Sequence, residues 1–410
     1  MQYSISNTGK SLQGEITLPS SKSISNRILI INSLSYSPYE IENLSDSDDT
    51  RVMETVLNSG TNHFDIGHAG TAMRFLTAFL SKIVGEWTLT GSERMRQRPV
   101  GILVDALRKL GAIIEYTGKE GFPPLRITGT ALKGGIVELD GSVSSQYISA
   151  LLMIAPTVQG GMTLKLLNQV TSKPYIELTL QLMVKFGIHY SWTGNEIRID
   201  EQAWHPVKFI VEADWSAASY WYAMAALSDD CNLLLKGLHL QSIQGDAGQA
   251  EWFSQYFGVL SKQEGNDVRI TKLNIPATER LEMDFIQNPD ITQTFAVLAV
   301  CRKIPFRFKG LATLKIKETD RILAMKTELL KFGATLTEPG DGELAWDGIV
   351  NESLVNHPLV IETYHDHRMA LAFAPAAMVY PEIIIDDPLV ITKSYPGFWD
   401  DLKKVGFNID

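Results

Sequence analysis

The chain has 410 residues, of which 45% are hydrophobic and 20% charged, and its formal net charge is −10 at pH 7. This length predicts two domains, and the composition is that of an ordinary soluble globular protein. The acidic balance argues against a general nucleic-acid or anionic-membrane surface, so an acidic ligand needs a local cluster of basic side chains.

Targeting and redox signals are weak in this sequence. The longest nearly apolar run, from Met369 to Tyr380, is shorter than the roughly 20 residues of a membrane span. The first residues have no signal-peptide or transit-peptide character, and we therefore expect a cytoplasmic protein. Cys231 and Cys301 lie in apolar runs, which predicts buried thiols rather than a disulfide or a nucleophile.

Six predicted helices open with a polar cluster and then turn apolar. In chain order these openings are Ser21-Lys22-Ser23, Ala69-Gly70-Thr71, Ser144-Ser145-Gln146, Asp214-Trp215-Ser216, Asp290-Ile291-Thr292 and Asp366-His367-Arg368. Each is followed by a second amphipathic helix that ends in a glycine, and these glycines are Gly60, Gly111, Gly187, Gly258, Gly333 and Gly406. Glycine just past a helix accepts the left-handed backbone that closes the last turn.

The spacing between opening and glycine is nearly constant, with extremes of 38 residues from Lys22 to Gly60 and 44 from Asp214 to Gly258. Hairpin signals follow three of the glycines, in residues 188–200, 259–271 and 334–346. The sequence therefore predicts an α/β protein made of six βαβαββ repeats.

The first and last repeats lack room for a hairpin, because ten residues separate Gly60 from Gly70 and four follow Gly406. The alternating polar and apolar segment 3–19 is expected to supply a hairpin to the C-terminal half. This predicts a first lobe of residues 1–20 plus 213–410, a second lobe of residues 21–212, and a two-strand hinge near 20–22 and 212–214. Such hinges commonly close around ligands; the alternative is six similar repeats with no mechanical role.

Basic residues stand at several of the helix openings. Lys22, Arg27, Arg74 and Arg368 lie in or just behind a first turn, where a cation opposes the helix dipole at a cost of about 0.3–1 kcal/mol. A bound anion would neutralise both the cation and the helix start. The alternative for each residue is a solvated surface base.

Seven segments carry a family resemblance. In order they are Leu18-Pro-Ser-Ser-Lys22-Ser23-Ile-Ser-Asn-Arg27, Gly67-His-Ala-Gly70-Thr71-Ala-Met-Arg74, Arg94-Met-Arg-Gln-Arg98-Pro99, Asp140-Gly-Ser-Val-Ser144-Ser145-Gln146, Ser172-Lys-Pro-Tyr175, Lys317-Glu318-Thr-Asp-Arg321 and Asp366-His367-Arg368-Met369-Ala. They resemble the signature segments of the 5-enolpyruvylshikimate-3-phosphate synthase family, and the match spans essentially the whole chain. The resemblance implies a two-lobed inverse α/β barrel, with three βαβαββ repeats in each lobe.

The resemblance also implies two substrates and the residues that hold them. Shikimate 3-phosphate would contact Lys22, Ser23, Arg27, Ser144, Ser145, Gln146, Ser172, Tyr175, Asp290 and Lys317. Phosphoenolpyruvate would contact Lys22, Gly70, Arg98, Gln146, Arg321, Arg368 and Lys393. Guanidinium groups suit its carboxylate and phosphate, and a glycine lets it approach the backbone.

The reaction implied is addition of a substrate hydroxyl to phosphoenolpyruvate, followed by elimination of phosphate from a tetrahedral ketal. Such chemistry needs a base, an acid and cations over the phosphate. Asp290 is the candidate base, although as a lone acid at a helix start it also fits a cap. Glu318 and Lys22 are candidates for the other proton steps, and His367 and Arg368 would stabilise the intermediate and the leaving phosphate.

No metal or cofactor is expected. His365 and His367 lack a third ligand at metal-like spacing, and the sequence has no nucleotide-binding glycine loop. We expect a monomer whose partners are small-molecule substrates, with no nucleic acid and no membrane. His68 and Phe75 depart from the family, whose members usually carry Asn and often carry Pro at these positions; both flank the presumed phosphoenolpyruvate pocket.

Two rival functions share most of these features. One is enolpyruvyl transfer to UDP-N-acetylglucosamine, in a sister family that usually relies on a mobile loop cysteine. The other is a catalytically silent binding protein for shikimate 3-phosphate, which would not need Asp290, Glu318 and Lys393 together. A nucleic-acid-binding protein built on related repeats is a third, and it would need a basic stripe.

Overall fold

The computed structural model describes residues 1–7, 9–142, 144–276 and 278–410. The chain forms two compact units. One, here called the terminal unit, contains Met1–Ser20 and Glu212–Asp410, and the other, the central unit, is Ser21–Val211. The hinge expected at the two crossings stays a prediction.

The strands are short. Up to residue 211 they are β1 Tyr3–Ser6, β2 Ser11–Thr17, β3 Ile41–Glu42, β4 His63–Asp65, β5 Gly85–Thr90, β6 Ile113–Tyr116, β7 Leu125–Gly129, β8 Lys133–Asp140, β9 Gln159–Leu167, β10 Ser191–Thr193, β11 Glu196–Ile199 and β12 Phe209–Ile210. Beyond it they are β13 Asp230–Lys236, β14 Val259–Glu264, β15 Asp267–Lys272, β16 Leu281–Asp284, β17 Phe306–Lys309, β18 Leu344–Trp346, β19 Leu359–Ile361, β20 Ile383–Ile385 and β21 Asn408–Ile409.

The helices alternate with these strands. In the central unit they are α1 Lys22–Leu34, α2 Asp48–Leu57, α3 Gly70–Lys82, α4 Glu93–Arg96, α5 Gly101–Lys109, α6 Ser145–Ile154 and α7 Lys173–Lys185. In the terminal unit they are α8 Trp215–Leu227, α9 Gln249–Phe257, α10 Thr292–Cys301, α11 Arg321–Leu330, α12 His367–Phe373 and α13 Phe398–Lys404. No helix in the described ranges is both long and apolar enough to cross a bilayer.

The sheets repeat one pairing pattern. In the sheet with the strand order β4-β5-β7-β6, β4 and β5 are parallel, and the pairs β5–β7 and β7–β6 are antiparallel. The sheets β8-β9-β11-β10 and β2-β13-β15-β14 have the same pairing pattern. The sheet β16-β17-β18 contains the equivalents of the first three strands of this pattern and has no fourth strand in the described residues. The first repeat is reduced to the parallel pair of β3 and β12. The predicted βαβαββ repeat is thus confirmed. It is shortened in the first repeat, where the sequence lacks a hairpin. It is also shortened in the fifth, where the hairpin predicted at residues 334–346 contributes β18 and an isolated antiparallel bridge between Thr337 and Ala345.

The N-terminal segment corrects one prediction. Its two strands do not form a hairpin, since β1 pairs antiparallel with β20 and β21 whereas β2 pairs parallel with β13 in another sheet. β1 therefore completes the last repeat and β2 begins the fourth. Both sheets belong to the terminal unit.

The first helix of each repeat is buried on nearly every side. All residues of α10 and α12 are buried, as are all of α6 except Gln146. Within the terminal unit α10 packs on α8 and α12, and within the central unit α6 packs on α1 and α3. Strands such as β11 instead alternate buried and exposed residues, so one face of the sheet covers the helices. Helices inside and sheets outside are the inverse α/β arrangement that the sequence resemblance implied.

Glycines end the second helices as predicted, with one exception. Gly111, Gly187, Gly258, Gly333 and Gly406 all have φ between 67° and 94°. Gly60 does not adopt this left-handed conformation, because α2 ends at Leu57 and Asn58 caps it with φ −97°. The assignment of Gly60 as a sixth closing glycine is therefore wrong.

Two of these glycines differ in the space around them, which gives a stability test. A Cβ on Gly333 would lie 2.7 Å from the Asn351 carbonyl oxygen, whereas a Cβ on Gly406 meets nothing within 4 Å. We expect Gly406→Ala to lower the free energy of unfolding by about 1–2 kcal/mol through backbone strain, and Gly333→Ala to lower it by more. Urea unfolding of the two variants measures this, and equal losses would contradict the contribution of the Asn351 contact.

Candidate functional site

The terminal unit brings together predicted site residues from four separate parts of its chain. Asp290 lies in a 3₁₀ turn just before α10, and Glu318 lies in the loop before α11. Arg368 is in the first turn of α12, and Lys393 ends a 3₁₀ helix after β20. Two of the six polar helix openings, a loop before α11 and the end of a 3₁₀ helix therefore converge in one cluster.

Arg321 is the centre of this cluster. It is the first residue of α11, its exposed fraction is 1%, and its guanidinium bonds three carboxylates. Nε donates to Asp366 Oδ2 at 2.7 Å, Nη1 to Asp290 Oδ1 at 3.0 Å and Nη2 to Glu318 Oε2 at 2.9 Å. A planar fork can serve three acceptors at fixed angles, which a lysine cannot do. Arg321 therefore fixes the positions of both candidate acid–base carboxylates.

Three further cations surround the same carboxylates. Arg368 Nη2 donates to Asp290 Oδ2 at 3.1 Å, and Lys393 Nζ donates to Glu318 Oε1 at 2.7 Å. Lys317 Nζ lies 3.5 Å from Asp290 Oδ1. With Arg321, four cations thus face the carboxylates of Asp290, Glu318 and Asp366. Protein carboxylates, rather than a bound anion alone, offset most of the positive charge that the sequence places here.

The ionisation of Asp290 and Lys317 follows from this crowding. Burial alone would raise the pKa of Asp290, but Arg368, Lys317 and Arg321 outweigh it and hold the pKa well below its ordinary value. Burial lowers the pKa of Lys317, and the positive charges of Arg321 and Arg368 lower it further, against the opposing effect of Asp290 and Glu318. Asp290 is therefore ionised at neutral pH, as a base must be.

Asp366 is the residue of this cluster that sequence reasoning left without a role. It is fully buried, accepts two bonds from Arg321, and caps α12 by accepting from the Arg368 N–H at 3.0 Å. His367, also buried, has its Nδ1 3.6 Å from Asp366 Oδ1. An aspartate directly before two basic residues at a helix opening was the available signal.

The turn that leads into Asp366 is strained. Tyr364 and His365 are consecutive non-glycine residues in the left-handed region, with φ of 54° and 55°. Each such residue costs about 1–3 kcal/mol, and this conformation persists only where surrounding contacts enforce it.

In the central unit, α1 carries three predicted site residues. Lys22 begins the helix and its Nζ lies 3.6 Å from Asp49 Oδ2 of α2. Ser23 follows it in the first turn, and its carbonyl accepts a bond from Arg27. Asp49 is a second partner that sequence reasoning missed, since it lies within the acidic run that begins α2.

Arg27 is buried, and its guanidinium contacts other side chains of the protein. Its Nε donates to Thr179 Oγ1 at 2.7 Å, and its Nη2 donates to Ser149 Oγ at 3.2 Å. Its guanidinium also lies over the Phe75 ring at 5.3 Å from the ring centre. Burial lowers its pKa to about 10, so it stays charged at neutral pH. Arg27 thus braces α1 against α3, α6 and α7, and its contact with a substrate stays a prediction.

Gly70 and Arg98 lie in direct contact. A Cβ added to Gly70 would stand 2.5 Å from Arg98 Nη1, so only glycine leaves room for this guanidinium against the start of α3. Arg74 plays a different part from the one its position suggested. It is 4% exposed and donates to the carbonyls of Gly70 and Pro99, which makes it a structural residue rather than a solvated base.

The remaining predicted residues lie at the starts of α6 and α7. Ser144 caps α6 and accepts from the Gln146 N–H, and Gln146 Nε2 donates to Thr71 Oγ1 of α3 at 3.0 Å. Ser145 is the first residue of α6. Ser172 precedes α7 in the left-handed conformation, with φ 53°, and Tyr175 lies in the first turn. His68, which departs from the family, has its Nδ1 3.0 Å from Ser92 Oγ, the cap of α4.

Both cysteines are buried thiols, as predicted, in β13 and α10. Burial raises the pKa of Cys231 and of Cys301 to about 12. Neither is a thiolate at neutral pH, so neither is suited to attack a substrate.

Comparison with known proteins agrees with this geometry. The family model described as EPSP synthase (3-phosphoshikimate 1-carboxyvinyltransferase) matches residues 6–61 and 54–402. The chain belongs to the EPSP synthase family. Proteins named 3-phosphoshikimate 1-carboxyvinyltransferase from Bacteroides fragilis (strain YCH46) and Vibrio cholerae serotype O1 (strain M66-2) are 53% and 37% identical to it. These alignments cover 100% and 96% of the chain, and 99% and 97% of the two relatives.

Solved structures show the same fold at low sequence identity. EPSP synthase from Acinetobacter baumannii superposes with a TM-score of 0.76 at 21% identity, covering 100% of this chain and 99% of that one. The enolpyruvyl transferase NikO from Streptomyces tendae gives a TM-score of 0.74 at 17% identity, covering 100% and 98%. The two-domain α/β fold expected from the sequence is thereby confirmed.

The Arg321 cluster makes a stability prediction. Arg321→Met leaves buried carboxylates without their shared cation, and breaking a buried ion pair in this way costs about 3–5 kcal/mol. Arg307→Met is the control, because the Arg307 side chain is 40% exposed and, among the described residues, its ion pair is with Glu343 at the surface of the same unit. We expect that control to lose about 1 kcal/mol or less in thermal or urea unfolding. Similar losses in both variants would contradict the central role of Arg321.

Proposed function

We propose that this protein transfers the enolpyruvyl group of phosphoenolpyruvate to the 5-hydroxyl of shikimate 3-phosphate and releases phosphate. Membership of the EPSP synthase family and relatives named 3-phosphoshikimate 1-carboxyvinyltransferase support this function. The observation that carries it is the Arg321 cluster, in which one guanidinium orients both carboxylates proposed for proton transfer.

The reaction proceeds by addition and then elimination. The 5-hydroxyl oxygen bonds to C2 of phosphoenolpyruvate, the hydroxyl proton goes to a base, and the methylene carbon gains a proton. The tetrahedral ketal then loses phosphate from C2 and a proton from the new methyl group, which restores the carbon–carbon double bond. Each stage moves a proton while negative charge stays on the phosphate, so acids, bases and fixed cations are all required.

Cations of the terminal unit are proposed to bind phosphoenolpyruvate. Arg321, Arg368 and Lys393 supply guanidinium and ammonium groups that suit its carboxylate and phosphate. Lys22, Gly70, Arg98 and Gln146 are the proposed contacts from the central unit. Gly70 leaves no side chain at the start of α3, and Arg98 lies against it.

Shikimate 3-phosphate is proposed to bind mainly through hydroxyl and amide groups. The contacts are Lys22, Ser23, Arg27, Ser144, Ser145, Gln146, Ser172, Tyr175, Asp290 and Lys317. Hydroxyls and amides donate to and accept from the ring hydroxyls of such a substrate, and the lysines match its phosphate and carboxylate.

Asp290 is proposed as the base for the 5-hydroxyl. Its neighbouring cations keep it ionised, which is the form that accepts a proton. The negative charges of bound substrate offset those cations and raise its pKa, so its basicity increases when the substrate is present. Glu318 and Lys22 are proposed for the proton steps at carbon and at the leaving oxygen, and His367 with Arg368 for stabilising the intermediate.

Transfer to UDP-N-acetylglucosamine is the alternative within the same chemistry. Both cysteines are buried, with pKa values raised to about 12, so the chain offers no reactive thiol of the kind on which that sister family relies. The expected monomeric state and cytoplasmic location stay predictions.

The choice of acceptor is tested by phosphate release. The protein is mixed with phosphoenolpyruvate and either shikimate 3-phosphate or UDP-N-acetylglucosamine, and phosphate is measured over time. We expect release with shikimate 3-phosphate alone. Release only with the sugar nucleotide would overturn the assignment, and release with neither would favour a silent binding protein.

The roles of the two carboxylates are tested by substitution. We expect Asp290→Ala and Glu318→Gln each to lower turnover by at least ~10²-fold, the usual scale of an acid–base step, while substrate binding measured by calorimetry survives. Glu282→Gln is the control, because Glu282 is an exposed carboxylate of β16 that, within the part of the chain the structure describes, pairs with Arg280 at the surface. Turnover like that of the control in either variant would remove that residue from the mechanism.

A further inference from the structure

The strained turn before α12 is held by a contact outside the cluster described so far. Tyr364 and His365 adopt the left-handed conformation immediately before Asp366, the residue that caps α12 and bonds Arg321. Non-glycine residues rarely hold this conformation without support, and two in succession need a specific restraint. The residues that supply the restraint therefore influence where Asp366 and Arg368 lie.

Glu328 supplies that restraint. Its side chain is fully buried in the last turns of α11, where Oε1 accepts from the Tyr364 hydroxyl at 2.7 Å. Oε2 accepts from the Glu362 N–H at 3.0 Å and from Lys331 Nζ at 2.7 Å. Burial raises the pKa of Tyr364, and the Glu328 charge raises it further, so the phenol keeps its proton and remains a donor. A buried carboxylate with these donors is satisfied and rigid.

Helix α11 thus forms hydrogen bonds with the 362–366 segment at two points. Arg321 at its first position bonds Asp366, and Glu328 two turns later bonds Glu362 and Tyr364. Arg321 and Glu328 are seven residues apart in the helix, which corresponds to about 10 Å along its axis. Asp386 adds a further restraint, since its Oδ1 accepts from the Thr363 N–H at 2.9 Å.

We propose that the Tyr364–Glu328 hydrogen bond is a latch that positions Arg368 and Arg321 for phosphoenolpyruvate. Neither residue touches the substrate; both act through Asp366, which they keep in place to cap α12 and orient the Arg321 guanidinium. This inference rests on the proposed function, since it assigns those two arginines to phosphoenolpyruvate.

A purely structural role makes a different prediction. A hydrogen bond that only stabilises the fold would, below the unfolding temperature, leave both KM values unchanged. A positioning role raises the KM for phosphoenolpyruvate selectively, because only the arginines of the terminal unit move out of place. The KM for shikimate 3-phosphate rises less, because most of its assigned contacts lie in the central unit and only Asp290 and Lys317 lie beside the displaced arginines.

The test compares Tyr364→Phe with Tyr222→Phe. Both variants remove one tyrosine hydroxyl of the terminal unit that is hydrogen-bonded at 2.7 Å, to Glu328 in the first case and to Ser261 in the second. We expect Tyr364→Phe to raise the KM for phosphoenolpyruvate roughly 10-fold, the scale of a lost bond to a charged group, and Tyr222→Phe to leave it unchanged. Unchanged KM values in Tyr364→Phe would overturn the latch.

A double-mutant cycle with Glu328→Gln tests whether the two residues act together. If they form one latch, the double variant raises the KM for phosphoenolpyruvate no more than the more severe single variant does. Multiplied effects would show that the two residues act independently and would overturn the proposal.

Amide hydrogen exchange tests the latch independently of enzyme activity. We expect Tyr364→Phe, but not Tyr222→Phe, to speed exchange in peptides covering residues 363–368, where the Arg368 N–H donates to Asp366. If the wild-type protein releases no phosphate, the proposed function is wrong. Amide hydrogen exchange then remains the test of whether the Tyr364–Glu328 bond positions Asp366 and Arg368. Unchanged exchange in Tyr364→Phe would overturn it.

Discussion

The terminal unit depends on one buried guanidinium. Arg321 bonds Asp290, Glu318 and Asp366, which come from three segments separated by long stretches of chain. A buried carboxylate is costly without a partner, and so is a buried cation, so each side requires the other. The same charges then determine the chemistry, because they hold Asp290 ionised and leave cations beside both carboxylates.

The fold places those charges by burying the first helix of each repeat. Helices such as α10 and α12 are polar where they begin and apolar along the rest of their length. The apolar part of each helix therefore packs in the core, and its polar first turn contributes to the candidate site. The sheets around them carry one buried face and close each unit from the outside. A repeat built this way carries its polar residues at a helix start, which explains why six polar openings recur in the sequence.

Periodicity and family motifs predicted most of this arrangement. The six openings, five of the six closing glycines and the buried cysteines follow from local rules, because a cap, a left-handed turn or an apolar run each depends on a few neighbouring residues. Gly60 fails because Asn58 ends α2 before the glycine is reached. The N-terminal hairpin fails because strand pairing is a long-range choice, which the alternation of a single segment does not specify.

The cluster itself was harder to foresee. The sequence indicated cations at helix starts, but it did not show that Asp366 and Asp49 would neutralise them, or that Arg27 and Arg74 would donate to protein groups. Glu328 gave no signal at all, since an acid in the last turn of an amphipathic helix usually faces solvent. Burial of a charged side chain depends on what packs above it, and that information lies elsewhere in the chain.

The split of the N-terminal strands has a consequence for synthesis on the ribosome. β1 is made long before its partners β20 and β21, and β2 must wait for β13. The central unit is continuous, so it can fold while the rest of the chain is still being translated. Within the terminal unit, β2 can pair once β13 has emerged, whereas β1 remains unpaired until β20 and β21 have been made. The last sheet of the terminal unit therefore closes around a strand made long before its partners.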